Sequence, residues 1–279
     1  LWPAFEMHRG PLRVLGSPLP GSSTMALGPL FAADADVPET LGAFLTHDLF
    51  RRHAYFACRT VERTHAIDLA PFGFSPVRAL ETYWIDLREP EQALWQSLKS
   101  ECRSRIRKAE KLGIETRIED TADFIPDFWR MSLETFARSA ARPTYDEAMV
   151  REVWRRFQPA GRLLVLSAFL RGERVSTLVL PHDDRTIIYW GGASAQAHRD
   201  LPTGNLLHWR AILEARGRGL IGYDMISTTG GPGRFKKTFG PKLVSIGRDW
   251  ERSPSAWLAF LKRRYEWLAR KRLGLRRAA

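Results

Sequence analysis

Apolar and polar positions alternate along this chain with two periods, and the switches between them predict its elements. The first 33 residues are rich in Pro and Gly, and the apolar pieces Leu12–Leu15 and Met25–Phe31 read as strands joined by turns. Val37, Leu41, Phe44, Leu45, Leu49 and Phe50 recur at helical spacing within Asp36–His53. Tyr55–Val61 and Ala79–Leu87 read as strands, separated by a turn-rich connection over Pro71–Val77. Glu89–Leu112 predicts one helix that opens on Pro90, carries the apolar stripe Leu94, Trp95, Leu98, Cys102 and Ile106, and stops at Gly113. After a strand at Ile114–Ile118 come two amphipathic helices, Asp120/Thr121–Arg138 and Tyr145–Gln158, joined by a polar loop at Arg138–Thr144. Leu163–Leu170 and Arg174–Leu180 flank Arg171-Gly172-Glu173, which is a hairpin signal.

The stretch Thr186–Gly240 organises the rest. An apolar strand, Thr186–Trp190, meets a Gly-Gly break and a polar loop; a helix starts at Pro202-Thr203-Gly204-Asn205 and stops at Gly217 and Gly219; a second strand covers Ile221–Ile226. Strand, loop, helix, strand predicts a crossover between parallel strands. The loop ahead of the helix offers free backbone N–H groups to an anion. A glycine-rich loop, Gly230-Gly231-Pro232-Gly233, then carries Arg234-Phe235-Lys236-Lys237 back to the sheet, and Val244–Trp250 forms a last strand.

Charge changes the picture at two places. The formal net charge is +12, and the segment from Leu261 to Ala279 carries +7 of it, from Lys262, Arg263, Arg264, Arg270, Lys271, Arg272, Arg276 and Arg277 against Glu266. This tail is either a solvated helix or an electrostatic footprint for RNA or an acidic membrane surface. Trp257, Phe260, Leu261, Tyr265 and Leu268 recur at helical spacing, so part of it is expected to pack on the body. The second place is the end of the 89–112 helix, where Arg103, Arg105, Arg107, Lys108 and Lys111 crowd together. They suit the helix dipole or form a phosphate clamp. Two distant cysteines, Cys58 and Cys102, argue against a disulfide framework. No apolar run reaches the length of a membrane span and no secretory signal is visible, so a cytoplasmic location is expected. No Ser-His-Asp arrangement, Walker loop or metal-ligand cluster is evident.

Four motifs in order carry a family resemblance. They are Tyr189-Trp190-Gly191-Gly192-Ala193-Ser194; Leu201-Pro202 with Leu206-Leu207-His208-Trp209; Gly219 with Tyr223-Asp224; and Gly233-Arg234-Phe235-Lys236-Lys237-Thr238-Phe239-Gly240. Together with the Arg-rich helix end at 103–114, they resemble the FemAB-type acyltransferases of the GNAT superfamily over roughly residues 80–250. The resemblance implies an α/β fold, a GNAT-like mixed sheet flanked by helices, in two lobes with the first incomplete. The expected division is a partial N-terminal lobe over 1–88, an acyltransferase lobe over 89–250 and a basic helix over 251–279.

Transfer of this kind requires a cleft that orients an amine and an activated acyl group, accepts a proton and stabilises an oxyanion. The resemblance implies that Phe235 and Lys236 handle a tRNA acceptor end and the reacting ester. Phe235 suits stacking of a terminal base and Lys236 suits an oxyanion; otherwise Phe235 is core and Lys236 a surface cation. One of Tyr189 and Trp190 is expected to line an acceptor pocket and the other to be core. Asp224 is a candidate base or a buried salt-bridged carboxylate. Asn205 caps the helix or touches ligand, and His208 reads as a core histidine. Arg234 and Lys237 join the candidate tRNA or phosphate ligands. Ordinary GNAT enzymes hold the pyrophosphate of coenzyme A on an Arg/Gln-x-x-Gly-x-Gly/Ala loop; here Arg199 and Gly204 stand in Arg199-Asp200-Leu201-Pro202-Thr203-Gly204-Asn205, but the Gly-x-Gly/Ala spacing does not, and Pro202 lacks an N–H donor.

The expected activity is therefore transfer of an aminoacyl group from aminoacyl-tRNA, as co-substrate and without a further cofactor, to an amine on a small molecule or a cell-wall precursor. The absence of a long heptad arm favours the small molecule. Acyl-CoA-dependent N- or O-acyl transfer and a non-catalytic RNA-binding module are the alternatives.

Overall fold

The computed structural model describes residues 1–9, 12–19, 24, 26–32, 34–47, 53, 55–61, 67–138, 144–226, 228–253, 255, 257, 260 and 264. The chain divides into two compact units, one of residues 1–80 with 245–279 and one of residues 81–244. The expected boundary at 88/89 thus falls inside the second unit, and the last strand contributes to both.

The first unit contains β1 (Phe5–Arg9), β2 (Leu12–Ser17), α1 (Val37–Leu45), β3 (Tyr55–Val61) and most of β11 (Lys242–Arg252). Strands β1 and β2 form an antiparallel hairpin, β2 runs parallel to β3, and β3 pairs antiparallel with β11. Strict alternation puts Phe56, Cys58 and Thr60 of β3 inward. There Phe56 and Cys58 join Trp2, Leu15, Leu41, Leu45 and Trp250 in one apolar cluster. Helix α1 is capped by Asp36, whose carboxylate accepts from the Glu39 N–H at 2.9 Å. Residues 26–31 form no strand, because Gly28-Pro29 interrupts any ladder. Trp257 and Phe260 are 64% and 46% exposed and stack on each other at 5.7 Å instead of packing inward. The basic positions 262, 263, 270–272, 276 and 277, and residues 139–143 of the polar loop, lie outside the described residues.

The second unit begins within β4 (Ser75–Asp86), so residues 75–77 of the expected connection are strand. The predicted 89–112 helix is two: α2 (Glu91–Ser97) and α3 (Ser100–Lys111). Leu98 breaks it, with an extended ψ of 140°, and is itself buried. The break lets Leu94 and Leu98 enter the same core as Cys102, Ile106 and Ala109 of α3. Then follow β5 (Glu115–Ile118), α4 (Phe124–Arg138), α5 (Glu147–Phe157), β6 (Leu163–Leu170) and β7 (Glu173–Pro181). The β6–β7 hairpin turns through Arg171 and Gly172 at φ 52° and 82°, which matches the right-handed twist of its strands. These two strands are near-continuous runs of buried residues, as expected of strands covered on both faces.

The remaining elements are β8 (Thr186–Ile188), β9 (Gly191–Ser194), α6 (Thr203–Gly217), β10 (Gly222–Asp224) and α7 (Gly230–Lys236). Two expected loops are regular structure: the segment after Trp190 is strand β9, and the glycine-rich 230–233 loop opens helix α7. Strands β5, β6, β7 and β9 make an antiparallel sheet. In the other ladder β10 lies between antiparallel β4 and parallel β8, so the predicted parallel crossover is present.

Candidate active site

Two consecutive strands, β8 and β9, each in a different sheet, build the site. Residues 186–188 pair with β10, and 191–194 pair with β7. The β8–β10 ladder ends with the bond from Tyr189 N–H to the Asp224 carbonyl at 2.9 Å. Beyond that point the two sheets part. Tyr189 turns to the side of α6, where its ring meets His208 at 5.0 Å. Trp190 turns the opposite way and packs on Tyr145 at 4.9 Å in the core beneath α4 and α5. A Cβ at Gly192 would stand 2.7 Å from both the Tyr189 hydroxyl and Leu178, so glycine lets these two side chains keep their positions.

A cleft of about 570 Å³ lies in the second unit, between α3, β7, β9, the 199–205 segment and α7. Helix α6 opens on it through Thr203, Gly204 and Asn205. Pro202 precedes the helix and no side chain caps it, so the first amides keep their positive end for a ligand. Arg105, Arg199 and Arg234 add three guanidinium groups to the same wall. Arg199 and Arg105 are only loosely committed, at 3.7 Å to Asp200 and 3.2 Å to Glu101. Opposite them the lining is small and polar or apolar: Thr135, Ser176, Leu178, Gly192, Ala193 and Ser194. Phe235 forms one side, with its ring edge 3.4 Å from where a Gly204 Cβ would stand.

The floor is aromatic. His208 is 2% exposed and is ringed by Tyr189, Tyr223, Phe235 and Phe239, with centroids 5.0 to 5.9 Å away. Its Nδ1 lies 2.7 Å from the Tyr223 hydroxyl. Burial, and secondarily the nearby Lys236, push the His208 pKa down to about 3, so the imidazole is neutral. Burial raises the Tyr189 phenol to about 12.

Behind Tyr189 sits a charged pair. Asp224 is fully buried, accepts from Thr82 Oγ1, and accepts from Ile226 N–H at 2.9 Å. Lys236 is 3% exposed; its Nζ donates to the Ile226 carbonyl at 3.3 Å and stands 4.7 Å from the centre of the Tyr189 ring. Desolvation lowers the Lys236 pKa to about 8, against a raising effect from Asp224. The residue these two groups hold is itself strained: Ile226 adopts φ 48°, a left-handed conformation that costs a β-branched residue on the order of 1–3 kcal/mol. The Asp224–Ile226–Lys236 set therefore shapes the turn where β10 leaves the sheet.

The sequence candidates separate accordingly. Tyr189, Asn205, Phe235, Arg105 and Arg234 line the cleft together. Trp190 belongs to the neighbouring core. Asp224 and Lys236 lie behind the cleft wall and are not among its lining residues; Lys236 is no surface cation. Asn205 does not cap α6. It is the third helix residue, is buried, and donates from Nδ2 to Cys102 Sγ at 3.4 Å. Arg103 is no clamp either: its Nη1 donates to the carbonyls of Gln96 and Leu98 and so satisfies the end of α2. Arg107 stacks over Trp95 at 5.5 Å, on a different surface pocket. Lys108, Lys237 and Arg264 are exposed. The sequence candidates did not include Cys102, Ser176, Ser194, Arg199, His208 or Thr238 as lining residues. The signal for Arg199 was its place with Gly204 in the segment that matches the pyrophosphate loop of ordinary GNAT enzymes. Both cysteines are free and buried. Among the described residues no cluster could hold a metal ion, and no helix is long and apolar enough to cross a membrane.

Residues 96–237 match the model of the acetyltransferase (GNAT) domain, just over half of the chain and wholly within the second unit. The chain belongs to the GNAT acetyltransferase-domain family. Its fold is similar to that of FemX, with a TM-score of 0.70 at 14% identity over 92% of this chain and 85% of that one. It is also similar to L-PGS from Bacillus licheniformis, with a TM-score of 0.60 at 13% identity over 93% and 84%. A third similar structure is the C-terminal domain of a putative lysylphosphatidylglycerol synthetase from Agrobacterium fabrum, with a TM-score of 0.57 at 14% identity over 92% and 82%. A comparison with curated proteins gives no match. At these identities the structural likeness is one of fold. The GNAT domain makes this chain a GNAT-type acyltransferase, and its fold is similar to that of FemX.

Proposed function

We propose that the protein forms an amide bond by transferring an aminoacyl group from the 3′ end of aminoacyl-tRNA to an amine. The observation that carries this reading is the pairing, in one cleft, of the uncapped start of α6 with Arg105, Arg199 and Arg234, and of Phe235 beside them. Amides and guanidinium groups suit phosphate oxygens, and a partly exposed aromatic ring suits a terminal base. The chain's net charge of +12 supports a polyanionic donor. The similar fold in a putative lysylphosphatidylglycerol synthetase, whose name joins an amino acid to an acceptor, supports aminoacyl transfer.

In this reading the acyl ester enters between β9 and α6, and the amine attacks its carbonyl carbon. The bond to the tRNA 3′ oxygen breaks, and the proton lost by the amine ends on that oxygen. A second reading is favoured by one observation. The free amides at the start of α6 suit a pyrophosphate equally well, and acyl-CoA would then be the donor.

The test is transfer from radiolabelled aminoacyl-tRNA and from acetyl-CoA to a panel of amines, with binding measured at two salt concentrations. Salt-sensitive tRNA binding with amide formation is expected. Turnover with acetyl-CoA alone overturns the tRNA donor, and RNA binding without turnover overturns the enzymatic reading.

A further inference from the structure

The tautomer of His208 follows from the groups around it. Tyr223 is fully buried, and its hydroxyl has one hydrogen-bond partner among the described residues, His208 Nδ1 at 2.7 Å. A buried hydroxyl that failed to donate would forfeit on the order of 1–3 kcal/mol. The phenol therefore donates, Nδ1 accepts, and the ring proton sits on Nε2. Among the described residues that N–H has no protein acceptor, although the side chain is 2% exposed. His208 is one of the residues that line the cleft. Because this nitrogen is not one of the fully enclosed polar atoms that lack a partner, it opens on the cleft, where a ligand can supply its acceptor.

We propose that His208 Nε2–H donates a hydrogen bond to the carbonyl oxygen of the transferred acyl group, and that Tyr223 acts through it as a positioning residue by fixing the tautomer. As the amine attacks, the carbonyl π pair moves onto this oxygen, and it returns as the ester bond breaks. His208 donates throughout and gives up no proton. The cage of Tyr189, Phe235 and Phe239 holds the ring in place, so the dipole needs little reorganisation. Lys236 beside the ring and Asp224 beyond Tyr223 are the charged groups that face the pair. Burial, and after it the Lys236 charge, holds the imidazole neutral, which leaves the attacking amine unprotonated by it.

This inference rests on the acyl-transfer reading, and its test separates the two. Nitrogen-15 spectra of the histidine-labelled whole chain are expected to show Nε2 of His208 protonated and Nδ1 not. A phosphonate analogue of glycyl-adenosine, or acetyl-CoA if that donor proves active, is expected to shift the Nε2 signal. Protonated Nδ1, or an Nε2 signal that saturating probe leaves unmoved, overturns the assignment even if no turnover is found. In kinetics, His208→Phe is expected to lower kcat roughly 100-fold with KM for the donor little changed. His208→Gln, which keeps an N–H donor, is expected to recover part of that loss. Tyr223→Phe is expected to lower kcat by less and to let the Nδ1–H tautomer appear, and it keeps the test open if His208→Phe does not fold. A His208→Phe enzyme with kcat within threefold of the parent overturns the assignment. Absence of amide formation by the parent with either donor overturns the acyl-transfer reading instead.

Discussion

Replacing Lys236 with methionine is expected to remove a pH dependence of stability that follows from its burial. The ammonium is 3% exposed, and its pKa falls from an ordinary 10.5 to about 8. The folded-state value lies below the unfolded one, so below pH 8 both states are protonated and the native state carries the cost of a desolvated charge. Between about pH 8 and 10.5 the unfolded chain holds a proton that the native chain has lost, so stability rises with pH there. A shift of 10.5 to about 8 at 1.36 kcal/mol per unit is about 3 kcal/mol, and between about pH 7 and pH 10 some 2–3 kcal/mol of it is recovered. Methionine keeps the length of the side chain and its contact with Tyr189, but loses the bond to the Ile226 carbonyl, which costs about 1 kcal/mol at every pH. The difference between parent and variant is therefore diagnostic, not either curve alone, because the buried tyrosines lower stability above about pH 10 in both. Urea unfolding at pH 7 and at pH 10 reads it out. The parent should gain some 2–3 kcal/mol more than Lys236→Met over that interval. Parallel curves would refute the reasoning and would mean that water or Asp224 solvates the ammonium in the folded protein.

Gly192→Ala should narrow the cleft, because the new methyl meets Leu178 and the Tyr189 hydroxyl at 2.7 Å; donor KM is expected to rise with thermal stability lowered by about 1–3 kcal/mol, checked by kinetics and melting. Arg199→Ala and Arg105→Ala should each weaken donor binding about tenfold and flatten its salt dependence, while Arg103→Ala should lower stability and leave the salt slope alone; titrations at two ionic strengths decide. Neutralising the basic residues of 262–277 should weaken tRNA binding and reduce its salt slope, and an unchanged slope would leave that segment a solvated one.

What the sequence reading captured is what periodicity controls. The β6–β7 hairpin was legible because run length and the Arg171-Gly172-Glu173 signal agree, although Glu173 already belongs to β7 and leaves a two-residue turn. The parallel pair β8 and β10 was legible because a strand, a helix and a strand leave few other connections. The break at Leu98 was not, since an apolar residue in register with Leu94 and Cys102 fits an unbroken helix equally well; burial of Leu98 against the core decided it. The Arg-rich end of α3 shows why composition underdetermines a site. Four neighbouring cations face four environments around one helix: α2 carbonyls, the cleft, Trp95 and open solvent. Sequence spacing alone cannot tell which side of the helix the ligand takes. Lys236 was legible as a residue to watch, but its burial depends on the Ile226 turn, a backbone conformation that no composition rule predicts for isoleucine.

The position of the sheet switch ties these observations to the chemistry. Two consecutive aromatic residues, Tyr189 and Trp190, anchor opposite cores, so the strand cannot slide in register without exposing one of them. That locks Gly192 and Ser194 against β7 on one side of the cleft and fixes the Tyr189 ring beside His208 on the other. Asp224, the last residue of β10, ends the second ladder at the same level, and the strained turn it helps hold brings α7 back with Phe235. The cleft is thus bounded by groups whose positions are over-determined by packing, which is the condition under which fixed amides, a neutral imidazole and an aromatic wall stabilise a transition state without reorganising. Its charged groups, by contrast, stand on exposed side chains at the rim. A packed interior and an exposed cationic rim suit a donor whose reacting ester must be held closely while its long phosphate-bearing body is held loosely.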